Sequence, residues 1–145
     1  MQTRFPIPRV ALVLVALLGV FSIAAKQTDN PKEATGFFGN VTGTVESAEE
    51  NGTSFILKIT TAEADPGVRI NGDKLIGKTL CIGTRLPHDP ETKQIKPHVD
   101  DVKWIQSLKP GMEVAVDLFA AKADPNVLRI KGPGEITKQP PTTQP

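Results

Sequence analysis

From residue 38 to residue 131 the apolar side chains recur at almost every second position, and a period of two is the signature of strands that turn one face to a core. Val41, Gly43 and Val45 alternate with Thr42, Thr44 and Glu46, which predicts a first strand over residues 38 to 48. Gly39 and Gly43 would let it coil or bulge. The pair Asn51-Gly52 tolerates positive φ and predicts a hairpin turn. The second strand, residues 54 to 61, then turns Phe55, Leu57 and Ile59 inward and Ile56, Lys58 and Thr60 outward. Residues 62 to 76 are rich in turn formers, with Asp65-Pro66-Gly67 and Asn71-Gly72-Asp73. A third strand over residues 78 to 85 sets Leu80 and Ile82 against Thr79, Cys81 and Gly83.

One segment breaks the period. Residues 99 to 108 read as a helix capped by Asp100 or Asp101, with Val102, Ile105 and Leu108 on one face, stopped by Pro110-Gly111. Alternation returns over residues 112 to 119, with Met112, Val114, Val116 and Leu118 inward, and a turn at 123 to 126 leads to a last strand over 127 to 131.

The two ends of the chain differ from this middle. Arg4 and Arg9 precede an apolar run from Val10 to Phe21, followed by Ser22, Ala24 and Ala25, which is the basic, apolar, small-residue order of an export segment. Taken to Ala25, the run reaches roughly 24 Å as a helix, short of the ~30 Å hydrocarbon core. Residues 1 to 25 are therefore a signal peptide, cut after Ala24, or an N-terminal membrane anchor; both place the remainder outside the cytoplasm, periplasmic or secreted, and only residues 10 to 25 would touch a membrane. Residues 26 to 35 are a polar linker, and residues 132 to 145, with four of the 13 prolines, read as a disordered or extended tail. Without residues 1 to 24 the chain loses two of its 17 basic residues and none of its 16 acidic ones, leaving 15 against 16. That balance counts against nucleic acid, whose phosphates recruit a basic face.

Three strands, a short helix and a two-stranded hairpin, in that order over residues 36 to 131, resemble the OB-fold, as in small exported OB-like domains of bacteria. The resemblance rests on element order, without a signature motif, and a β-sandwich stays open as the alternative. It implies a mainly β protein: a five-stranded barrel with one short helix between strands 3 and 4. It also implies that strands 2 and 3 and the flanking loops bind oligonucleotides, oligosaccharides or proteins. A single-strand nucleic-acid binder needs aromatic platforms and positive charge. Lys58, Arg69, Lys74, Lys78 and Arg85 surround strands 2 and 3, but Glu63, Asp65 and Asp73 are interleaved with them, and Phe55 and Trp104 read as core.

Chemistry gathers in one loop, residues 86 to 101. His88, Asp89, Glu91, His98, Asp100 and Asp101 are ligand types for zinc or copper, although their spacing matches no standard metal motif and a solvated loop stiffened by Pro87, Pro90 and Pro97 accounts for them. Cys81, His88, His98 and Met112 supply the residue types of a blue-copper site without its close Cys-His-Met spacing. Cys81, the only cysteine, excludes an internal disulfide and reads as a small buried strand residue. OB domains that carry haem outside the cytoplasm attach it through a His followed by a Tyr, and this chain has no tyrosine. Ser47, Ser54 and Ser107 lack a nucleophile elbow, and Gly77-Lys78-Thr79 precedes a strand where a phosphate loop would precede a helix. No catalytic, metal or cofactor residue is assigned. The sequence reads as an exported, non-enzymatic binding or accessory module for a protein or glycan of the cell envelope. The alternatives are a small-ligand or metal-handling protein using the 86 to 101 loop and, behind it, a single-stranded nucleic-acid binder.

Overall fold

The computed structural model describes residues 28–29, 34–70, 72–120 and 127–141; residues 1 to 25, expected from the sequence to be an export segment, lie outside them. Six strands form: β1 (Phe38–Ala48), β2 (Ser54–Ala64), β3 (Thr79–Gly83), β4 (Glu113–Ala120), β5 (Leu128–Ile130) and β6 (Glu135–Lys138). A 3-10 turn (Gly72–Leu75) precedes β3, and one α-helix, α1 (Val99–Gln106), lies between β3 and β4. The strand order is β1-β2-β3-β5-β4, and a further β1–β4 pairing closes the ring. All neighbours are antiparallel except β3 and β5, which pair in parallel through Ile82↔Leu128 and Gly83↔Arg129. The protein is thus a mainly β, closed five-stranded barrel with one short helix, compatible with an OB-like fold. Among the described residues no helix is long and apolar enough to cross a membrane.

Alternation fills the barrel as the sequence predicts. Val41 and Val45 of β1, Phe55, Leu57 and Ile59 of β2, Leu80 and Ile82 of β3, Val114, Val116 and Leu118 of β4, and Leu128 and Ile130 of β5 are all buried. Each such side chain contributes about 1.5–3 kcal/mol by leaving water, and this packing has no disulfide to assist it. The β1–β2 turn is built by Asn51, whose Oδ1 accepts from the Thr53 N–H at 3.1 Å and the Thr53 hydroxyl at 2.7 Å. Gly52 is required there on two counts: its φ is +73°, and a Cβ would lie 2.6 Å from the Val102 carbonyl oxygen of α1. Helix α1 covers this end of the barrel. Ile105 and, beyond the helix, Leu108 enter the core, Trp104 meets Phe55 edge-on at 5.6 Å, and the Gln106 side chain donates to the Glu50 carbonyl at 3.2 Å.

Three features differ from the sequence reading. Residues 135 to 138, read as part of an extended tail, form β6, which pairs with β4 through Val114↔Ile136 and Ala115↔Glu135. The cause is β4's divided edge: β5 takes only residues 118 to 120, so the stretch 113 to 115 offers backbone groups that need partners. Four residues with one inward apolar side chain, Ile136, suffice to meet them. In the linker, Asp29 is hydrogen-bonded to β3: its N–H donates to the Thr79 carbonyl and its Oδ2 accepts from the Thr79 N–H, both at 2.8 Å. Cys81 is exposed rather than buried, because period two puts it on the face opposite Leu80 and Ile82, paired with Ile56 of β2.

β1 bends twice to reach both of its neighbours, with register shifts between Thr42 and Gly43 and between Val45 and Ser47. At the first shift a Cβ on Gly43 would lie 2.5 Å from the Lys58 carbonyl oxygen and 2.9 Å from Leu57 Cγ. Gly43→Ala is therefore expected to lower the unfolding free energy by about 2 kcal/mol, within the range for overpacked cores. Urea unfolding followed by circular dichroism checks this, and an unchanged midpoint would show that the strand has room to move.

Candidate functional site

β3 ends at Gly83, and the chain leaves the barrel through Thr84, which is buried and whose carbonyl accepts from Arg129 Nη1 at 3.0 Å. Arg85 comes next and meets Asp101 of α1. Its backbone N–H and Nε both donate to Asp101 Oδ2, at 2.9 and 3.0 Å, and its Nη2 donates to Oδ1 at 2.7 Å. The Asp101 side chain is 0% exposed and that of Arg85 33%, so a buried carboxylate is held by a fork of donors from one residue. The hydrogen bond to Asp101 is the main cause of an Arg85 pKa raised above its ordinary value, with burial opposing it. The guanidinium stays charged over the whole accessible pH range.

Between Arg85 and α1, residues 86 to 98 form a second, smaller hairpin. The His98 N–H donates to the Arg85 carbonyl at 3.1 Å, closing its base. Farther out His88 bridges to Ile95, and the Asp89 N–H donates to the Gln94 carbonyl at 2.9 Å. The tip folds around the Asp89 carboxylate, whose Oδ1 accepts from the Glu91 N–H at 2.8 Å and the Thr92 N–H at 3.4 Å. The backbone bond from Glu91 is the first cause of an Asp89 pKa below the ordinary carboxylate value. Because the folded value is the lower one, the support this carboxylate gives the tip is complete at neutral pH. It is lost only as the pH falls through that depressed value.

The hairpin and the start of α1 enclose a cleft of about 290 Å³, at the small end of ligand-sized cavities. Pro87, Pro97 and Val99 supply apolar wall, and His88, Asp89, Lys96, His98 and Asp100 supply polar groups. Leu86, Ile95 and Val99 are exposed on this part of the chain, at 40%, 62% and 63%. They are three of the five large apolar residues left in water among the described residues.

Of the residues singled out from the sequence, His88, Asp89, His98 and Asp100 do come together around the cleft. Glu91 lies at the hairpin tip, outside the cleft lining, and Asp101 belongs to Arg85. Among the described residues no three His, Cys, Asp or Glu side chains converge in a way that could hold a metal ion. The blue-copper types are dispersed: Cys81 is on the barrel's outer surface, while Met112 is buried and its Sδ accepts from the Lys109 N–H at 3.3 Å. The helix cap is neither aspartate but His98, whose Nδ1 accepts from the Asp100 N–H at 3.2 Å.

The outer face of β2 and β3, where an OB-fold would bind single strands, presents Ile56, Lys58, Thr60, Thr79 and Cys81 and no aromatic ring. Phe38, the one exposed aromatic among the described residues, instead stacks on Phe119 across β1 and β4 at 6.1 Å, under the ammonium of Lys131. Lys131 in turn pairs with Asp65 at 2.9 Å.

Sequence reasoning missed Arg85 and the cleft walls. Arg85 was one more basic residue near strand 3, and Pro87 and Pro97 read only as stiffeners. The signal available was an arginine at the exit of a strand facing an aspartate in the first turn of the next helix. No protein-family model, no curated protein and no solved structure matches the chain.

The asymmetric burial of the ion pair makes a test. Arg85→Ala would leave Asp101 charged, buried and short of two of its three donors. The loss is set at about 3 kcal/mol, the low end for a broken buried pair because part of Arg85 is already solvated. Arg85→Lys is expected to recover only part of it, since an ammonium lacks the planar fork. Denaturant melts of both variants measure the difference, and equal stability of the two would remove the role given to the bidentate geometry.

Proposed function

We propose that this chain is an exported, non-enzymatic binding module and that a protein of the cell envelope is its partner, engaged by the 86 to 98 hairpin and the start of α1. The observation that carries this reading is that the segment bearing the cleft also leaves Leu86, Ile95 and Val99 in water, Val99 within the cleft lining and the other two each next in sequence to a lining residue. Leaving such residues in water costs stability that a partner surface would return by covering them. A protein segment fits better than a glycan, because sugar rings favour aromatic platforms and the cleft lining contains none. The near-neutral charge of the exported portion and the lack of aromatic rings on the outer face of β2 and β3 speak for a protein over a single-stranded nucleic acid. The export segment, residues 1 to 25, supplies the address, with cleavage after Ala24 separating a free protein from a tethered one.

Photo-crosslinking tests the reading. The full chain carrying a benzophenone side chain at position 95, expressed in its own host, is expected to yield a discrete protein adduct. The same group at position 58, on the outer face of β2, is expected to yield none. Adducts at 58 and not at 95 would move the site to the barrel face. Leu86→Asp and Val99→Asp, each introduced beside the probe at position 95, should lower the yield of the adduct about tenfold while changing stability by less than about 0.5 kcal/mol, as exposed positions do.

A further inference from the structure

We propose that His98 is an acid-sensitive cap whose ring, on taking up a proton, leaves the start of α1 for the cleft that it lines. The proposal deepens the binding reading, since it concerns regulation of the same cleft, but the switch itself needs no ligand to be observed. Helix N-caps are ordinarily Ser, Thr, Asp or Asn, whose oxygens accept at any pH above their own titration. Here the acceptor is an imidazole nitrogen: Nδ1 of His98 receives the Asp100 N–H at 3.2 Å. That bond requires a lone pair on Nδ1 and therefore the neutral ring with its proton on Nε2.

Adding a proton reverses the contact. Both ring nitrogens become donors, so an N–H faces an N–H, and a positive charge stands at the positive end of the helix dipole. The groups around the ring decide where it moves. Asp89 and Asp100 line the cleft with His98 and attract the cation, while Lys96 in the same lining opposes it and His88 joins that opposition once protonated. Arg85, whose carbonyl accepts the His98 N–H, has its own charge committed to Asp101. The protonated ring is thus drawn out of the cap position toward the carboxylates, into the cleft. The backbone N–H of the same residue stays on the Arg85 carbonyl, so the ring moves about a fixed hairpin base. Asp89 does not obscure the effect: its carboxyl titrates below the ordinary carboxylate range, well under the interval in which histidines charge.

Amide hydrogen exchange measured by NMR on the full chain in zwitterionic detergent micelles tests this, with rates corrected for their intrinsic pH dependence. Between about pH 7.5 and about pH 5.0, the interval that brackets histidine titration, the protection of the Asp100 amide is expected to fall about fivefold, the equilibrium equivalent of one cap worth about 1 kcal/mol. In His98→Asn, which caps without titrating, protection should stay level across the same interval. His88→Asn should fall as the wild type does. His98→Ser serves as a second non-titrating cap should the asparagine variant fail to fold. A level wild-type profile, or the same fall in the non-titrating variants, overturns the proposal. Loss of crosslinking at position 95 would sink the binding reading and leave this result untouched.

Discussion

The pairing of β1 with two neighbours at once is the constraint on which the rest of the molecule depends. Along its 11 residues β1 meets β2 on one edge and β4 on the other, and this second contact closes the sheet β1-β2-β3-β5-β4 into a barrel. Closure removes the open edges of β1 and encloses the alternating apolar residues of five strands on one side. A strand asked to do this must bend, and its two register shifts and two glycines are where it does so. The same demand explains β6. Once β4 has given one edge to β1 and the end of the other to β5, the remaining stretch is completed by a short strand from the C-terminal segment.

The loop between β3 and α1 is ordered by a different device. A largely polar segment of 13 residues, 86 to 98, places none of its apolar side chains in the barrel core, so its position is set at the root. Arg85 and Asp101 clamp the chain just beyond β3 to the first turn of the helix, and helix α1 is itself fixed by Ile105, Trp104 and Gly52. From that root the hairpin is self-supporting, through the His88 to Ile95 bridge and the carboxylate of Asp89. The consequence is a continuous chain of contacts from barrel core to cleft. Pro87 and Pro97, exposed Val99 and two imidazoles are presented on a stem whose conformation the barrel determines. The proposed binding role rests on this arrangement, in which the barrel supplies position and the loop would supply contacts.

Several side chains that looked like chemistry are spent on structure. Asp101 is a buried partner for Arg85, Met112 fills the core, Lys131 answers Asp65 and covers Phe38, and His98 caps a helix. Polar types in a sequence are candidates for ligand binding only until the fold has taken its share. Here that share is large because a small barrel has few other means of satisfying the groups at its ends.

The strands, the Asn51-Gly52 turn, the helix and their order were legible in the sequence, because period two and turn chemistry are local properties that need no partner to be read. That His88, Asp89, His98 and Asp100 share one loop was legible for the same reason. Which of them face a common cleft, and which are withdrawn from it, was not. Asp100 and Asp101 are adjacent and identical in type, yet the helix turn sends one toward the cleft and the other into a buried pair with Arg85. β6 lay in a Pro-rich segment, and only the unfilled edge of β4 made it a strand. The sequence by itself therefore determined the alternating faces that make a barrel and the segment that carries the polar residues. The tertiary structure alone decided which polar groups remain available, because that depends on partners far away in the chain.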